Sequence, residues 1–317
     1  MPADGPIPRA VVHSDGTLKL HHFLPVLDEI YRVPVLLVMP ILGRINALDL
    51  LKNQSFAEHL VRHGFDVYAI DWGVPRDEDH ELGLEDYILK MIPECVAKVV
   101  EHSEIAEVSI VSYCLGGTFA CMYAALHPDD PLRNLVCFTT PVNSEGLTLF
   151  ADWKNDCIDI DEIVGKFGNL PPELIAFSLR DMRFDRPELG ERRDEDEFLQ
   201  ACSRLERWAL DQIPVAGKVA RQLAHEFLRE NKLVAGKLEL EGRPVDLTNI
   251  RVPLLHITAE FDRIVPSAAS RELVLRASSR DKTEMVLKSG HVDLFAGGNA
   301  VYRLWPKLEA WLASRSV

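Results

Sequence analysis

The sequence contains no uninterrupted run of about eighteen uncharged apolar residues, so no segment reads as a membrane-spanning helix. Positive charge is scarce. Lys and Arg number 35 against 49 Asp and Glu, and the net charge of −14 argues against a nucleic-acid partner. The opening "MPADGPIPRAVVHSDG" lacks the basic start and apolar middle of a secretory signal, so a cytoplasmic protein is expected. The six cysteines, at 95, 114, 121, 137, 157 and 202, form no C-x-x-C pair and no Cys/His zinc spacing. Neither a disulfide framework nor a metal site is therefore expected, and most of these thiols read as small core residues. A glycine-rich phosphate cradle and internal repeats are also missing.

What the chain does have is a rhythm. Short apolar runs stand at Val33–Met39, Asp66–Ile70, Val108–Val111, Leu135–Thr139, Pro253–Thr258 and Glu284–Leu287. Near-continuous apolarity over so few residues marks strands buried on both faces. Helical patterns fall between the early ones, at Leu50–His63, at Leu84–His102 with a kink at Pro93, and at Leu115–His127. Alternating strands and helices predict an α/β fold with a mostly parallel, doubly wound sheet. After the fourth of these strands the pattern changes to about a hundred helical or irregular, charge-rich residues, including "RFDRPELGERRDEDEFLQ". The expected organisation is an N-terminal extension (1–32), a first part of the core (33–141), a helical cap inserted between strands (142–249) and a second part of the core (250–317). An amphipathic helix around Tyr302–Ala313 closes the chain.

The strand "EVSIV" runs into Ser112-Tyr113-Cys114-Leu115-Gly116-Gly117, a variant of the G-x-S-x-G turn that exposes a nucleophile between a strand and a helix. Small residues are needed there because strand and helix approach closely, and Ser112 stands in for the first glycine. The plain alternative is that Cys114 is a buried core thiol. Its prospective partners decide against that: in the chain order of α/β-hydrolases, nucleophile then acid then histidine, Asp262 follows the fifth strand and His291 the sixth. Both loops lie at the sheet edge where Cys114 emerges. The N–H of Leu115 is one oxyanion donor, and the loop "MPILGRIN" offers Ile41 or Leu42 as the second. His256 reads as a core or supporting residue, Asp71 as a structural carboxylate, and Asp293 as either a modulator of His291 or a surface acid. The remaining histidines, His59 and His63 among them, read as solvated or structural.

The ordered stretches "RINALDLL", "GFDVYAIDWGVP", "LEDYI", "YCLGGTFACMYAALHP", "NLVCFTTPV", "NKLVAGKLELEGRPVDLTNIRVPLL", "AEFDRIVP" and "SGHVDLF" cover most of the chain from about residue 33 onward. In them the chain resembles the catalytic subunit of polyhydroxyalkanoate synthases, in particular the two-component, class III type, within the α/β-hydrolase superfamily. That resemblance implies an acyltransferase that polymerises (R)-3-hydroxyacyl-CoA with release of CoA. Cys114 is then the acyl-bearing nucleophile, His291 its base and Asp262 the third member, also placed to help activate the 3-hydroxyl of the incoming unit. The CoA thioester is a substrate, and no cofactor or metal is implied. Expected partners are the growing polyester and its granule surface, a second synthase subunit and a second copy of the chain.

A thiol suits that chemistry, because a thiolate attacking a thioester exchanges one thioester for another and keeps the acyl group activated. His291 would raise the thiolate fraction above the few per cent of an ordinary thiol of pKa ~8.5 at neutral pH. The sequence departs from the family pattern at Gly43, Asn46, Ser112 and Asp293. Those departures motivate an alternative, a cysteine-nucleophile thioesterase, esterase or polyester depolymerase on the same scaffold. A non-catalytic relative is the third reading.

Overall fold

The computed structural model describes residues 7–45, 55–147, 150–155, 157–178, 211–295 and 297–317. Eight strands form one sheet in the order β1-β2-β4-β3-β5-β6-β9-β10. Six of them are parallel: β3 (Val35–Val38), β4 (Val67–Asp71), β5 (Val108–Tyr113), β6 (Leu132–Phe138), β9 (Leu254–Ala259) and β10 (Lys282–Leu287). Every residue of β3, β5 and β9 is buried, which is why these strands read as unbroken apolar runs. At the sheet edge, β10 alternates between exposed and half-buried positions.

The N-terminal residues depart from expectation. Instead of an extension, β1 (Arg9–Asp15) and β2 (Leu18–Phe23) form an antiparallel hairpin that joins the sheet through β2 on β4. With one face open to water, β1 carries only exposed and half-buried residues and shows no apolar run. Antiparallel strands with a solvated face are legible through alternation, and here the alternation is interrupted by a register shift between Val11 and His13.

Helices flank the sheet at Phe56–Arg62, Ile92–Ser103, Leu115–Leu126, Ser267–Arg276 and Trp305–Ala313. The kink expected at Pro93 takes the form of a π-helical turn, Tyr87–Met91, just before the helix Ile92–Ser103 that carries Pro93 in its first turn. Proline lacks the N–H of a regular ladder, and a widened turn accommodates the loss. Between β6 and β9 lie the helices Ile160–Phe167, Pro172–Ser178 and Gly217–Gln222 and the two-residue strands β7 (Glu239–Leu240) and β8 (Arg243–Pro244). The stretch "RFDRPELGERRDEDEFLQ" and Asn46 lie outside the described residues.

The two ends of this inserted segment are tied together. Asn231 accepts the Ser144 N–H at 2.9 Å and donates to Asn143 Oδ1 at 2.8 Å. Further along, Arg243 donates to the Leu126 carbonyl at the end of the helix that follows Cys114. Residues 211–215 run between the core and the insertion: Gly43 bridges Gln212, Ile213 N–H donates to the Leu42 carbonyl at 3.1 Å, and Val215 pairs with Leu170. No described helix is long and apolar enough to cross a membrane.

Candidate active site

Cys114 sits between β5 and the helix Leu115–Leu126 with φ 52° and ψ −126°. A left-handed φ on a non-glycine residue is strained, and here it projects the side chain off the end of the strand. The neighbours explain the sequence of the turn. A Cβ on Gly116 would stand 2.4 Å from the Val38 carbonyl oxygen, and one on Gly117 would stand 1.9 Å from Thr140 Oγ1. Ser112, where a glycine was expected, is fully buried and donates to the Val136 carbonyl at 2.8 Å. The hydroxyl is satisfied within the sheet, so the substitution leaves the turn intact.

Asp262 and His291 arrive from the loops after β9 and β10. His291 Nδ1 lies 2.7 Å from Asp262 Oδ2, and both side chains are almost wholly buried. Asp262 Oδ1 accepts the backbone N–H groups of Ile264 at 2.9 Å and Val265 at 2.8 Å, while Thr139 Oγ1 donates to Oδ2. The carboxylate therefore accepts four hydrogen bonds, which fix its orientation. His291 also interacts with Cys114 by charge and by a side-chain hydrogen bond. Burial by itself would lower the pKa of His291, but the Asp262 carboxylate and then the Cys114 sulfur outweigh it and raise the value to about 10. The structure thus brings together all three residues singled out in the sequence.

Tyr113 and Thr139 were not anticipated. The Tyr113 ring packs 4.9 Å from the His291 ring and its hydroxyl donates to the His291 carbonyl at 3.3 Å. Thr139 holds φ 40° at the end of β6, where its N–H donates to the Ile257 carbonyl at 2.6 Å. Two consecutive threonines at the carboxyl end of a buried strand were the available signal for Thr139. Other candidates fall away. His256 is buried in β9 beside Ser270 Oγ at 2.7 Å, and Asp71 accepts Gly73 N–H at 3.1 Å and lies 3.4 Å from His21. Asp293 Oδ2 accepts the Gly290 N–H at 3.4 Å, next to His291 in the same loop.

As the first residue of its helix, Leu115 has an N–H without an intrahelical acceptor. The loop carrying Ile41 and Leu42 lies alongside, with the Trp72 indole N–H bonded to the Met39 carbonyl at 2.8 Å and the Leu42 carbonyl bonded to Ile213. Above Cys114 opens a pocket. Its floor is Leu42, Cys114, Leu115, Pro141, Ile264 and Val265. Its roof, from the inserted segment, includes Phe150, Trp153, Leu170, Val215, Leu223 and Phe227. Apart from the thiol, every described side chain facing this space is apolar or aromatic.

Comparison with known proteins places the chain in two steps. Residues 34–297 match the family model of the alpha/beta hydrolase fold. Solved structures agree: a thermophilic esterase from Thermogutta terrifontis matches with a TM-score of 0.59 and 17% identity over 98% of this chain and 100% of that one. A monoacylglycerol lipase from Paleococcus ferrophilus matches at 0.56 and 19%, over 91% and 96%. These likenesses define the fold. At the level of sequence, the chain is 33% identical to the poly(3-hydroxyalkanoate) polymerase subunit PhaC of Thiocystis violacea, over 98% of this chain and 90% of that protein. Its counterpart from Allochromatium vinosum is 34% identical with the same coverage, and that from Haloferax mediterranei 33% identical, where this chain spans 65% of the relative's length. The chain belongs to the poly(3-hydroxyalkanoate) polymerase PhaC family of α/β-hydrolase-fold proteins.

Proposed function

We propose that this protein is an acyltransferase that polymerises (R)-3-hydroxyacyl-CoA into polyhydroxyalkanoate through an acyl thioester on Cys114. The observation that carries the reading is the position of Cys114: it is held beside His291 and Asp262 at the base of an apolar pocket, in a chain of the PhaC family. His291 takes the thiol proton, and the thiolate adds to the thioester carbonyl. The oxyanion that forms lies against the N–H of Leu115 and that of Ile41 or Leu42. Collapse breaks the bond to CoA, whose sulfur leaves with the proton from His291. The acyl group, now on Cys114, is attacked by the 3-hydroxyl of a second unit, again with His291 accepting the proton and Asp262 holding the imidazolium. An ester bond forms and the Cys114 thiol is restored.

The apolar roof has a role in this sequence. Water competes with the 3-hydroxyl for the acyl-enzyme, and the apolar lining supplied by the described residues excludes it. No cofactor enters, since the CoA thioester supplies its own activation. The relatives are designated polymerase subunits, which supports a second subunit as partner. By the same resemblance, the protein works as a homodimer on the surface of cytoplasmic polymer granules.

The test is to incubate the purified protein with (R)-3-hydroxybutyryl-CoA and follow both released CoA and the acyl product. Polymer, with CoA release abolished in Cys114→Ala, is the expected outcome. Stoichiometric free 3-hydroxybutyrate would establish the hydrolase alternative instead.

A further inference from the structure

A second cluster of chemically capable side chains shares none of the residues assigned above and plays no part in the proposed reaction. His59, in the helix Phe56–Arg62, and His63, that helix's C-cap, are one turn apart, and Glu309 faces them from the helix Trp305–Ala313. His59 Nε2 and His63 Nε2 each lie 3.6 Å from Glu309 Oε2, and the three ligand atoms all fall within 4.8 Å of one another. A separation of 3.6 Å is long for a hydrogen bond. It is close to the ~3.4 Å edge between ligand atoms around a tetrahedral ion bound at ~2.1 Å.

Two further observations point to an ion. His63 Nδ1 is 2.7 Å from the His59 carbonyl oxygen, so Nδ1 carries the proton and Nε2 presents its lone pair. This is the backbone-anchored tautomer of a metal-ligating histidine. His59 Nε2 is buried with no hydrogen-bond partner, in a ring packed 5.0 Å from Trp305 and 4.1 Å from the His63 ring. A buried imidazole nitrogen left without a partner is costly unless something else fills its lone pair. The His63 side chain is 43% exposed, which leaves a route for an ion to enter.

We propose that His59, His63 and Glu309 bind a divalent first-row transition metal, zinc by ligand type, that staples the helix Phe56–Arg62 to the C-terminal helix. Two imidazoles and a carboxylate suit zinc, and the remaining position goes to water. The site lacks the equipment of a metal hydrolase. Where the H-E-x-x-H pattern carries its general base, this chain has Leu60, so the ion acts as a cross-link and not as a reaction centre. The sequence reading, which expected no metal site, did not weigh this trio, because its third residue comes from the far end of the chain.

The experiment uses the full chain, stripped with a chelator and exchanged into chelator-free buffer, and titrates zinc alone by calorimetry and by thermal melting. Parent, His63→Ala and Glu309→Gln are compared, so that binding to the thiols, common to all three, cancels. The expected result is one equivalent bound by the parent with a rise in melting temperature. Each variant should lose at least tenfold in affinity, lose the zinc-dependent rise, and melt near the metal-free parent. Equal zinc isotherms and equal melting shifts in the parent and either variant would overturn the proposal. So would parent binding weaker than about 0.1 mM, which is ~5 kcal/mol.

Discussion

The floor and the roof of the pocket differ in what they contribute. The floor is built from strand ends, and its one chemically reactive described side chain, Cys114 at φ 52°, sits beside groups held in equally constrained geometry, Thr139 at φ 40° and Asp262 with four hydrogen bonds. The described roof carries aromatic and aliphatic side chains from the inserted segment. Rigid strand ends can place charge to within a fraction of an ångström, whereas apolar surface only has to exclude water. The loop of Ile41 and Leu42, which borders the floor, is pinned to residues 212–213 of the inserted segment.

The comparison is broken most severely from the floor. His291→Gln keeps the volume and removes the base, so CoA release should fall by about a thousandfold, polymer and free acid falling together, as steady-state assays would show. The same variant tests the raised pKa. With Asp262 and the Cys114 sulfur holding the proton on His291, alkylation of Cys114 by iodoacetamide at pH 7 should be about tenfold slower in His291→Gln. Because the folded value of about 10 lies above the ordinary 6.5, the stabilisation from this proton is complete below pH 6.5 and fades as the pH rises toward 10.

Thr139→Val is milder. Valine keeps the β-branch and removes only the hydroxyl bonded to Asp262 Oδ2, so kcat should drop by roughly tenfold with KM little changed. Restoration by Thr139→Ser would separate the hydrogen bond from packing. From the roof the smallest effect on rate is expected, and the largest on outcome. Phe227→Ala opens the water-excluding face, and the share of free 3-hydroxybutyrate per CoA released should rise by about threefold while the total rate changes less than twofold. A roof variant that lowered both products equally would dissolve the distinction between the two faces.

The parts of the molecule legible in sequence were those under the tightest physical constraint. Strands buried on both faces announce themselves as apolar runs, and the Cys114 turn is marked by Gly116 and Gly117, which leave no room for a Cβ. Asp262 and His291 were placed by topology, since both follow parallel strands at one edge. The hairpin β1–β2 escaped because its outer strand is solvated and carries a register shift. Thr139 escaped because a threonine at a strand end already has a sufficient local reason to be there. Its bond to Asp262 spans 123 residues. His59 and His63 have a visible helical spacing, but nothing near them in sequence points to Glu309.

The central claim is that the acyl group rests on Cys114, and it can be tested directly. The protein is mixed briefly with (R)-3-hydroxybutyryl-CoA, quenched in acid, digested and mapped by mass spectrometry. A hydroxylamine-labile 3-hydroxybutyryl adduct on the Cys114 peptide, absent in Cys114→Ala and accumulated when no further hydroxyl acceptor is present, is the result predicted. CoA release with Cys114 unmodified, or with the acyl group on another side chain such as the exposed Cys157, would contradict it.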